Sequence, residues 1–322
     1  RETLEGKPAD QWVARVMDEL AGCENVTLLP RTTANGYHDH NFVTLHERRT
    51  EHLGDTAPVE NGHRQVRARL HRVRAGQVIL STGAHERPLV YAGNDVPGNL
   101  LAGAVSTYIR RYGVAPGRKL VLSTSNDYGY RAALDWKEAG CEVVAIVDAR
   151  EAPAGDWVDA ARAQGIKIIT GSAVIEAKGS NRVTAARVAK IDIGAFKVTG
   201  PVQELACDTI ASSGGYSPVI HLASHTGARP TWRDDILGFV PGLVKGVQAC
   251  GGANGCYALG DVLAEGVEAG IKAAAAMGHA VQTVTLPSAE RLQQGPAVAL
   301  FQVPHEKPTL RGPKQFVDLQ ND

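Results

Sequence analysis

Three short segments of the sequence combine glycine with polar residues directly after an apolar run. Glycine leaves room where another backbone or a ligand must approach closely, and a carboxylate can accept a hydrogen bond from a ribose hydroxyl. In open α/β sheets, ligands bind outside the carboxyl ends of the strands. The three segments therefore predict a cofactor-binding edge, with these candidate residues: Thr82, Gly83, Gly214, Gly215, Gly260 and Asp261.

The first segment, residues 77–90, reads QVILSTGAHERPLV. Its apolar run Val78-Ile79-Leu80 predicts a buried parallel strand that ends at Gly83, and Pro88 prevents a helix from continuing through the edge. Taken alone, the STG tripeptide is explained better by a simple strand-to-loop turn. The signal becomes specific because CDTIASSGGYSP, residues 207–218, repeats the same theme roughly 130 residues later.

The third segment, CYALGD, is predicted to be a strand over residues 256–261, followed by a helix over residues 267–282. Gly260 and Asp261 just before a helix could hold a phosphate or a ribose hydroxyl. Asp261 as a simple N-cap explains the local sequence equally well. No Ser-His-Asp set or carboxylate pair stands out elsewhere, so no catalytic residue is assigned.

A Rossmann-like unit lies between the first two segments. It is predicted as a strand at 119–123, a turn at 124–129, a helix at 130–139 and a strand at 141–147 that ends at Asp148. Asp148 has the spacing of a ribose-binding acid. The turn, however, offers only Gly129, and the side chains of Ser125 and Asp127 would crowd a pyrophosphate. We therefore expect a Rossmann fold without a nucleotide at this turn.

These patterns predict the fold class α/β, with two Rossmann-like three-layer domains of the FAD/NAD(P)-binding type, the second inserted in the first. No GxGxxG follows a strand in the first 80 residues, so the first domain is expected to lack its N-terminal βαβ unit. The predicted division is 1–114 for the first part, 115–206 for the inserted domain, 207–285 for the return, and 286–322 for a linker or docking arm.

Composition narrows the classes of partner. Lys+Arg and Asp+Glu both number 34 in 322 residues, which argues against nucleic acid or an anionic membrane as a partner. The sequence contains no run of eighteen apolar residues, so no membrane span is predicted.

Five scattered cysteines indicate reduced thiols in a cytoplasmic protein. A metal or redox role for Cys250 and Cys256 stays open, but no second pair has zinc spacing, so no metal site is predicted.

The order STGAHERP, STSNDYGY, SSGGYSP and YALGD resembles the two-dinucleotide-binding-domain flavoprotein superfamily, the group of thioredoxin reductase. The sequence is most similar to the alpha-subunit family of heterotetrameric sarcosine oxidase. The segments that carry this likeness are TGAHERPLVYAGNDVPGNLLAGAVSTYIRRYGVAPGRKLVLSTSNDYGYRAALDWKEAG, VVAIVDAR and QFVDLQND. Opine and hydroxyproline dehydrogenase subunits share TGAxERP and are the alternative.

The resemblance implies that this region binds NAD where relatives hold FAD. Thr82 and Gly83 match the strand end beside the dinucleotide, Gly214 and Gly215 match the second crossing, and Asp261 with its neighbouring glycine matches an element whose acid contacts a cofactor hydroxyl. The full complex would oxidise sarcosine to glycine and pass electrons through FAD and FMN to oxygen.

The resemblance also implies partners: beta, gamma and delta subunits, and folate bound by a domain after residue 322. A glycine-rich fingerprint would precede residue 1. We therefore expect this region to be inactive without partner subunits and to bind NAD weakly by itself. A non-catalytic scaffold that docks a flavoprotein is the remaining alternative.

Overall fold

The computed structural model describes residues 3–282, 284–307 and 314–317. The chain divides into two compact units. Unit 1 comprises Arg1–Ala84, Pro218–Trp232 and Phe239–Arg291, and unit 2 comprises His85–Ser217, Arg233–Gly238 and Leu292–Asp322.

The helices of the described residues are Ala9–Ala21 (α1), Ala102–Tyr112 (α2), Tyr128–Glu138 (α3), Asp156–Ala163 (α4), His221–Ser224 (α5) and Leu259–Ala276 (α6). Two 3₁₀ turns cover Glu51–Thr56 and Gly251–Asn254.

The strands, in chain order, are Thr3–Leu4 (β1), Lys7–Pro8 (β2), Thr32–His38 (β3), Phe42–Arg48 (β4), Val59–Glu60 (β5), His63–Arg64 (β6), Ala68–Arg74 (β7), Val78–Leu80 (β8), Ala84–Glu86 (β9), Asn99–Leu101 (β10), Lys119–Thr124 (β11), Glu142–Asp148 (β12), Ile168–Ile169 (β13), Ser172–Gly179 (β14), Val183–Asp192 (β15), Lys197–Val198 (β16), Gln203–Ala206 (β17), Thr209–Ser213 (β18), Tyr216–Pro218 (β19), Thr231–Arg233 (β20), Gly238–Val240 (β21) and Val247–Ala249 (β22).

Unit 2 is built on a parallel sheet with the strand order β10-β18-β11-β12-β13. The apolar centre of β11, Leu120 to Leu122, is completely buried, as expected for a parallel strand covered on both faces. Helix α3 connects β11 to β12 and buries Tyr130, Ala133 and Trp136 in the same core. The predicted strand–turn–helix–strand unit is therefore present.

A second layer of unit 2 is the antiparallel meander of β14, β15 and β17. Its buried face, which includes Val174, Ala186 and Val188, joins a core with Leu89 and Tyr91. Residues Leu300 and Val303 are also buried in that core, so part of the predicted arm at 286–322 packs on unit 2. Residues 308–313 and 318–322 of the arm lie outside the described residues.

Unit 1 contains a short parallel pair, β8 with β22, and an antiparallel sheet of order β3-β4-β7. Tyr37, Val43, Leu80, Ala223 and Val247 form its buried core. Helix α6 packs against β8 and against the 3₁₀ turn Gly251–Asn254. The predicted strand at Val78 therefore ends beside a helix and a tight turn, which is the arrangement that a ligand edge requires.

The α/β class with Rossmann-like, parallel-stranded topology is confirmed. The sheet of unit 2 includes β10 and β18, which the sequence-based division placed outside the inserted domain, and the predicted domain boundaries stay a prediction. Among the residues that the structure describes, no helix combines the length and the apolar character needed to cross a membrane.

Candidate cofactor-binding site

The chain that leaves β8 in unit 1 is fixed by two hydrogen bonds to one residue. The Thr82 hydroxyl donates to the carbonyl oxygen of Val219 at 3.0 Å, and the backbone N–H of Val219 donates to the carbonyl oxygen of Gly83 at 2.9 Å. The first candidate pair is therefore held in place by backbone groups of a distant segment, and a fixed backbone is what an edge that binds a cofactor needs.

Gly83 has φ +76°, a conformation that side chains disfavour, and a Cβ atom built there would meet no heavy atom within 4 Å. Gly252 lies against it: a Cβ atom on Gly252 would be 3.2 Å from both the Cα and the carbonyl carbon of Gly83. The backbones of Gly252 and Gly83 therefore lie close together, and the space at the α-carbon of Gly83 is open.

The turn Gly251–Asn254 depends on a residue that the sequence did not single out. The carboxylate of Glu265, on α6, accepts the backbone N–H of Gly251 at 2.6 Å and the side-chain amide N–H of Asn254 at 2.7 Å. No local motif joins residues that are eleven to fourteen positions apart, so only the structure could find this contact. Glu265 couples α6 to the turn beside Gly83.

Cys250, just before this turn, lies beside β8. Its backbone N–H donates to the Leu80 carbonyl oxygen at 3.0 Å, and its thiol is 3.0 Å from the Ser81 hydroxyl. Neither Cys250 nor Cys256 forms a disulfide bond with another described cysteine. Among the described residues, no group of three or more His, Cys, Asp or Glu side chains could hold a metal ion.

The predicted strand at 256–261 is wrong, because the structure has no strand there, and the predicted helix at 267–282 is wrong in its bounds. Helix α6 begins at Leu259 and ends at Ala276, so Gly260 and Asp261 lie in its first turn. A short apolar run such as YAL does not distinguish strand from helix, and the alanine-rich sequence after it favours the helix.

The position of Asp261 also rules out the alternative explanation of that residue as a simple N-cap. Ala258 is the N-cap of α6, and Asp261 is exposed in the first turn, where a carboxylate stabilises the helix dipole. A Cβ atom on Gly260 would be 3.2 Å from the Cβ of Ala289. Thr82, Gly83, Gly260 and Asp261 thus all belong to unit 1, on elements that pack around β8.

Gly214 and Gly215 lie in unit 2, where their neighbours belong to the HERP segment. The backbone N–H of Gly214 donates to the Arg87 carbonyl oxygen at 2.7 Å, and a Cβ atom on Gly214 would be 3.0 Å from the Pro88 carbonyl oxygen. The guanidinium of Arg87 donates to the Gly214 carbonyl oxygen through Nε at 3.2 Å and a terminal nitrogen at 3.1 Å. Because these glycines have no side chains, they leave room for the neighbouring HERP segment of the same chain. Their role toward a cofactor stays a prediction.

Glu86, in the same segment, is a second residue that the sequence did not single out. Its carboxylate accepts the backbone N–H of Gly103, in the first turn of α2, at 2.7 Å. Burial raises its pKa to about 7, against the lowering effect of the hydrogen bonds from Gly103 and the Ser213 hydroxyl. Glu86 is therefore a carboxyl group that changes its protonation near neutral pH.

The Rossmann turn of unit 2 carries a buried cluster of charges. Arg150 is 5% exposed and forms a double hydrogen bond with Asp148, with Nε 3.0 Å from one carboxylate oxygen and a terminal nitrogen 2.7 Å from the other. Its other terminal nitrogen lies 2.6 Å from the Asp127 carboxylate. Burial lowers the pKa of Arg150, but the hydrogen bonds and charges of the two carboxylates outweigh that effect and leave it raised.

Solved structures share this architecture. L-proline dehydrogenase from P. horikoshii matches 87% of this chain and 47% of its own with a TM-score of 0.58 at 18% identity. Thioredoxin reductase from Lactococcus lactis matches 76% of this chain and 74% of its own with a TM-score of 0.54 at 17% identity. The chain therefore has the Rossmann-like fold of these oxidoreductases, the fold that the sequence predicted.

Similarity to curated sequences narrows the class of protein to which the chain is related. The sarcosine oxidase alpha subunit from Rhizobium meliloti is 38% identical over 99% of this chain, and the one from Corynebacterium sp. (strain P-1) is 35% identical over 100%. The chain spans about a third of their length, 30% and 33% respectively. The predicted resemblance is confirmed: the chain is homologous along its whole length to a part of the sarcosine oxidase alpha subunit.

Two further comparisons complete this result. An opine oxidase subunit from Rhizobium meliloti is 25% identical over 69% of this chain and 53% of its own length. No protein-family model matches the chain.

Proposed function

We propose that this chain is the dinucleotide-binding part of a sarcosine oxidase alpha subunit. The observation that carries the proposal is the match at 35–38% identity over essentially the whole chain to proteins of that name. The enzyme would be an oxidoreductase whose activity requires partner subunits, because the matching proteins are themselves named as subunits.

We place the cofactor at the unit 1 edge and propose that it is NAD. Gly83 combines a positive φ with open space at its α-carbon, which would let a dinucleotide backbone approach, and the close contact with Gly252 holds the neighbouring turn beside it. Thr82 and Gly260 would line the approach, and the Asp261 carboxylate, exposed at the N-terminal turn of α6, would accept a ribose hydroxyl. When bound, a nicotinamide can accept or donate a hydride.

Gly214 and Gly215 would contribute indirectly. Their contacts with Arg87 and Pro88 fix the HERP segment, which follows Gly83 in the chain. In the whole protein, sarcosine would be oxidised to glycine and electrons would pass through FAD and FMN to oxygen. Beta, gamma and delta subunits and a folate-binding domain would complete that system.

The alternative amine oxidoreductase is an opine oxidase or hydroxyproline dehydrogenase. The 25% identity to the opine oxidase sequence favours it less, because that match covers 69% of this chain. A scaffold without bound nucleotide is the third candidate, favoured by the closed Rossmann turn of unit 2, where Asp127, Asp148 and Arg150 are buried.

A substrate comparison tests the assignment. The full-length protein, expressed together with the proposed partner subunits, is assayed for oxygen consumption with sarcosine, an opine and hydroxyproline. We expect sarcosine to be preferred by at least tenfold in kcat/KM. An equal or higher value for an opine would replace the assignment, and absence of turnover with all three amines would favour the scaffold.

A further inference from the structure

Residues 292–298, which we call the plug segment, lie against the Rossmann turn of unit 2. The backbone N–H of Val298 donates to the Ser125 carbonyl oxygen at 3.0 Å, and the N–H of Asp156 donates to the Gln293 carbonyl oxygen at 3.0 Å. The Asp156 carboxylate accepts the Gln293 N–H at 2.7 Å. The segment is thus bonded both to the turn after β11 and to the start of α4.

The charged cluster of the turn also bonds the plug segment. The Asp127 carboxylate accepts the backbone N–H of Gly295 at 2.7 Å, and the Arg150 guanidinium donates to the Pro296 carbonyl oxygen at 3.3 Å. Asp148, which has the spacing of a ribose-binding acid, holds Arg150 and also accepts the Tyr130 hydroxyl at 2.8 Å. The carboxylate oxygens of Asp148 are therefore already hydrogen-bonded within the protein.

At two glycines the contact between the plug segment and this edge leaves no room for a side chain. A Cβ atom on Gly295 would be 2.3 Å from the Ala154 carbonyl oxygen, and one on Gly155 would be 2.3 Å from the Asp127 carboxylate. The turn beneath is sealed, since Ser125 is fully buried and Asp127 is 2% exposed. A pyrophosphate would also meet two buried carboxylates, whose negative charge disfavours an anion.

We propose that the plug segment permanently occupies the edge of unit 2 where a Rossmann unit binds its dinucleotide, so that this unit is closed to NAD(H) and NADP(H). The Asp127 carboxylate lies just before α3 and supplies the negative charge that a phosphate would supply at a helix N-terminus. All nucleotide binding by the chain then comes from unit 1. The proposal goes beyond the proposed function and does not depend on it.

Hydrogen exchange measured by mass spectrometry on the full-length protein tests the proposal. We expect peptides that cover 292–298 and 123–129 to exchange slowly and to show no change with millimolar NADH or NADPH. Protection or release of either peptide by either nucleotide would overturn the proposal. A response of peptides from 78–84 reports on unit 1 alone, so failure of the NAD proposal is seen separately.

A pair of variants tests whether the segment is seated as described. Gly295→Val places a side chain against the Ala154 carbonyl oxygen and should raise exchange in 292–298 at least tenfold. Gln294→Ala is the matched control, because its side chain is exposed, and it should leave exchange unchanged. Equal exchange in wild type and Gly295→Val would contradict the proposal.

Discussion

Glu86 shows how one partly buried side chain can give the fold a dependence on pH. Its pKa is raised to about 7 from 4.5 because burial penalises the carboxylate. The stabilisation due to the protonated form is therefore complete below about pH 4.5 and is lost as the pH rises through about 7. A shift of this size corresponds to a stability change on the order of 3 kcal/mol.

We predict that Glu86→Gln removes this dependence. Urea unfolding of wild type at pH 5 and pH 8 should show a loss on the order of 2–3 kcal/mol that the variant lacks, because glutamine stays neutral and still accepts the Gly103 N–H. Glu204→Gln is the control, since Glu204 is exposed. If the free energies of unfolding of the wild type and of Glu86→Gln fall by the same amount between the two pH values, Glu86 is not the titrating group.

Gly215 is a second residue with a testable local role. Its φ is +95°, and a Cβ atom would lie 2.9 Å from an Arg87 guanidinium nitrogen that bonds the neighbouring carbonyl oxygen. We predict that Gly215→Ala lowers the free energy of unfolding by about 2–3 kcal/mol. The control is Gly140→Ala. Gly140 has a φ of +79° but open space around it, so this substitution should lower the free energy of unfolding by about 1 kcal/mol. Equal losses would show that the Arg87 contact adds nothing.

Helix α6 shows what the sequence could and could not predict at the scale of an element. The alanine-rich stretch indicated a helix, but its start was placed after Asp261 because a glycine inside CYALGD looked like the end of a strand. The contact of Glu265 with Gly251 and Asn254 holds the turn before the helix, and residues so far apart carry no shared pattern. The sequence therefore indicates candidate residues, whose role stays a prediction, but it does not indicate Glu265, which holds the neighbouring turn.

We predict that Glu265→Gln weakens this coupling. Glutamine keeps one carbonyl oxygen but loses the charge and the second acceptor, so stability should fall by about 1–2 kcal/mol and exchange of the 251–254 amides should rise. Glu268→Gln is the control on the same helix, because its ion pair with Lys272 is exposed and is worth less than about 1 kcal/mol. A larger effect at Glu268 than at Glu265 would contradict the assigned role.

At the scale of the molecule, the Rossmann unit was predictable because its strands are short apolar runs separated by a turn and an amphipathic helix. The sequence does not assign strands β10 and β18 to that sheet, because pairing between residues about 110 positions apart follows from tertiary packing rather than from local pattern. The expectation that the Rossmann turn excludes a nucleotide came from missing glycines. The contact of residues 292–298 with that turn adds a physical cause that the sequence could not reveal.

The most direct test of the account is whether unit 1 holds NAD, as proposed. The full-length protein, purified together with the proposed partner subunits and denatured, is analysed by mass spectrometry for NAD, FAD and FMN. We predict about one NAD per alpha subunit in wild type. Gly83→Val should lose it, because the side chain enters the open space at Gly83, whereas Gly113→Val, with a similar φ of +65° and equally open surroundings, should retain it. Absence of NAD from wild type, or full retention of NAD in Gly83→Val, would contradict the central claim.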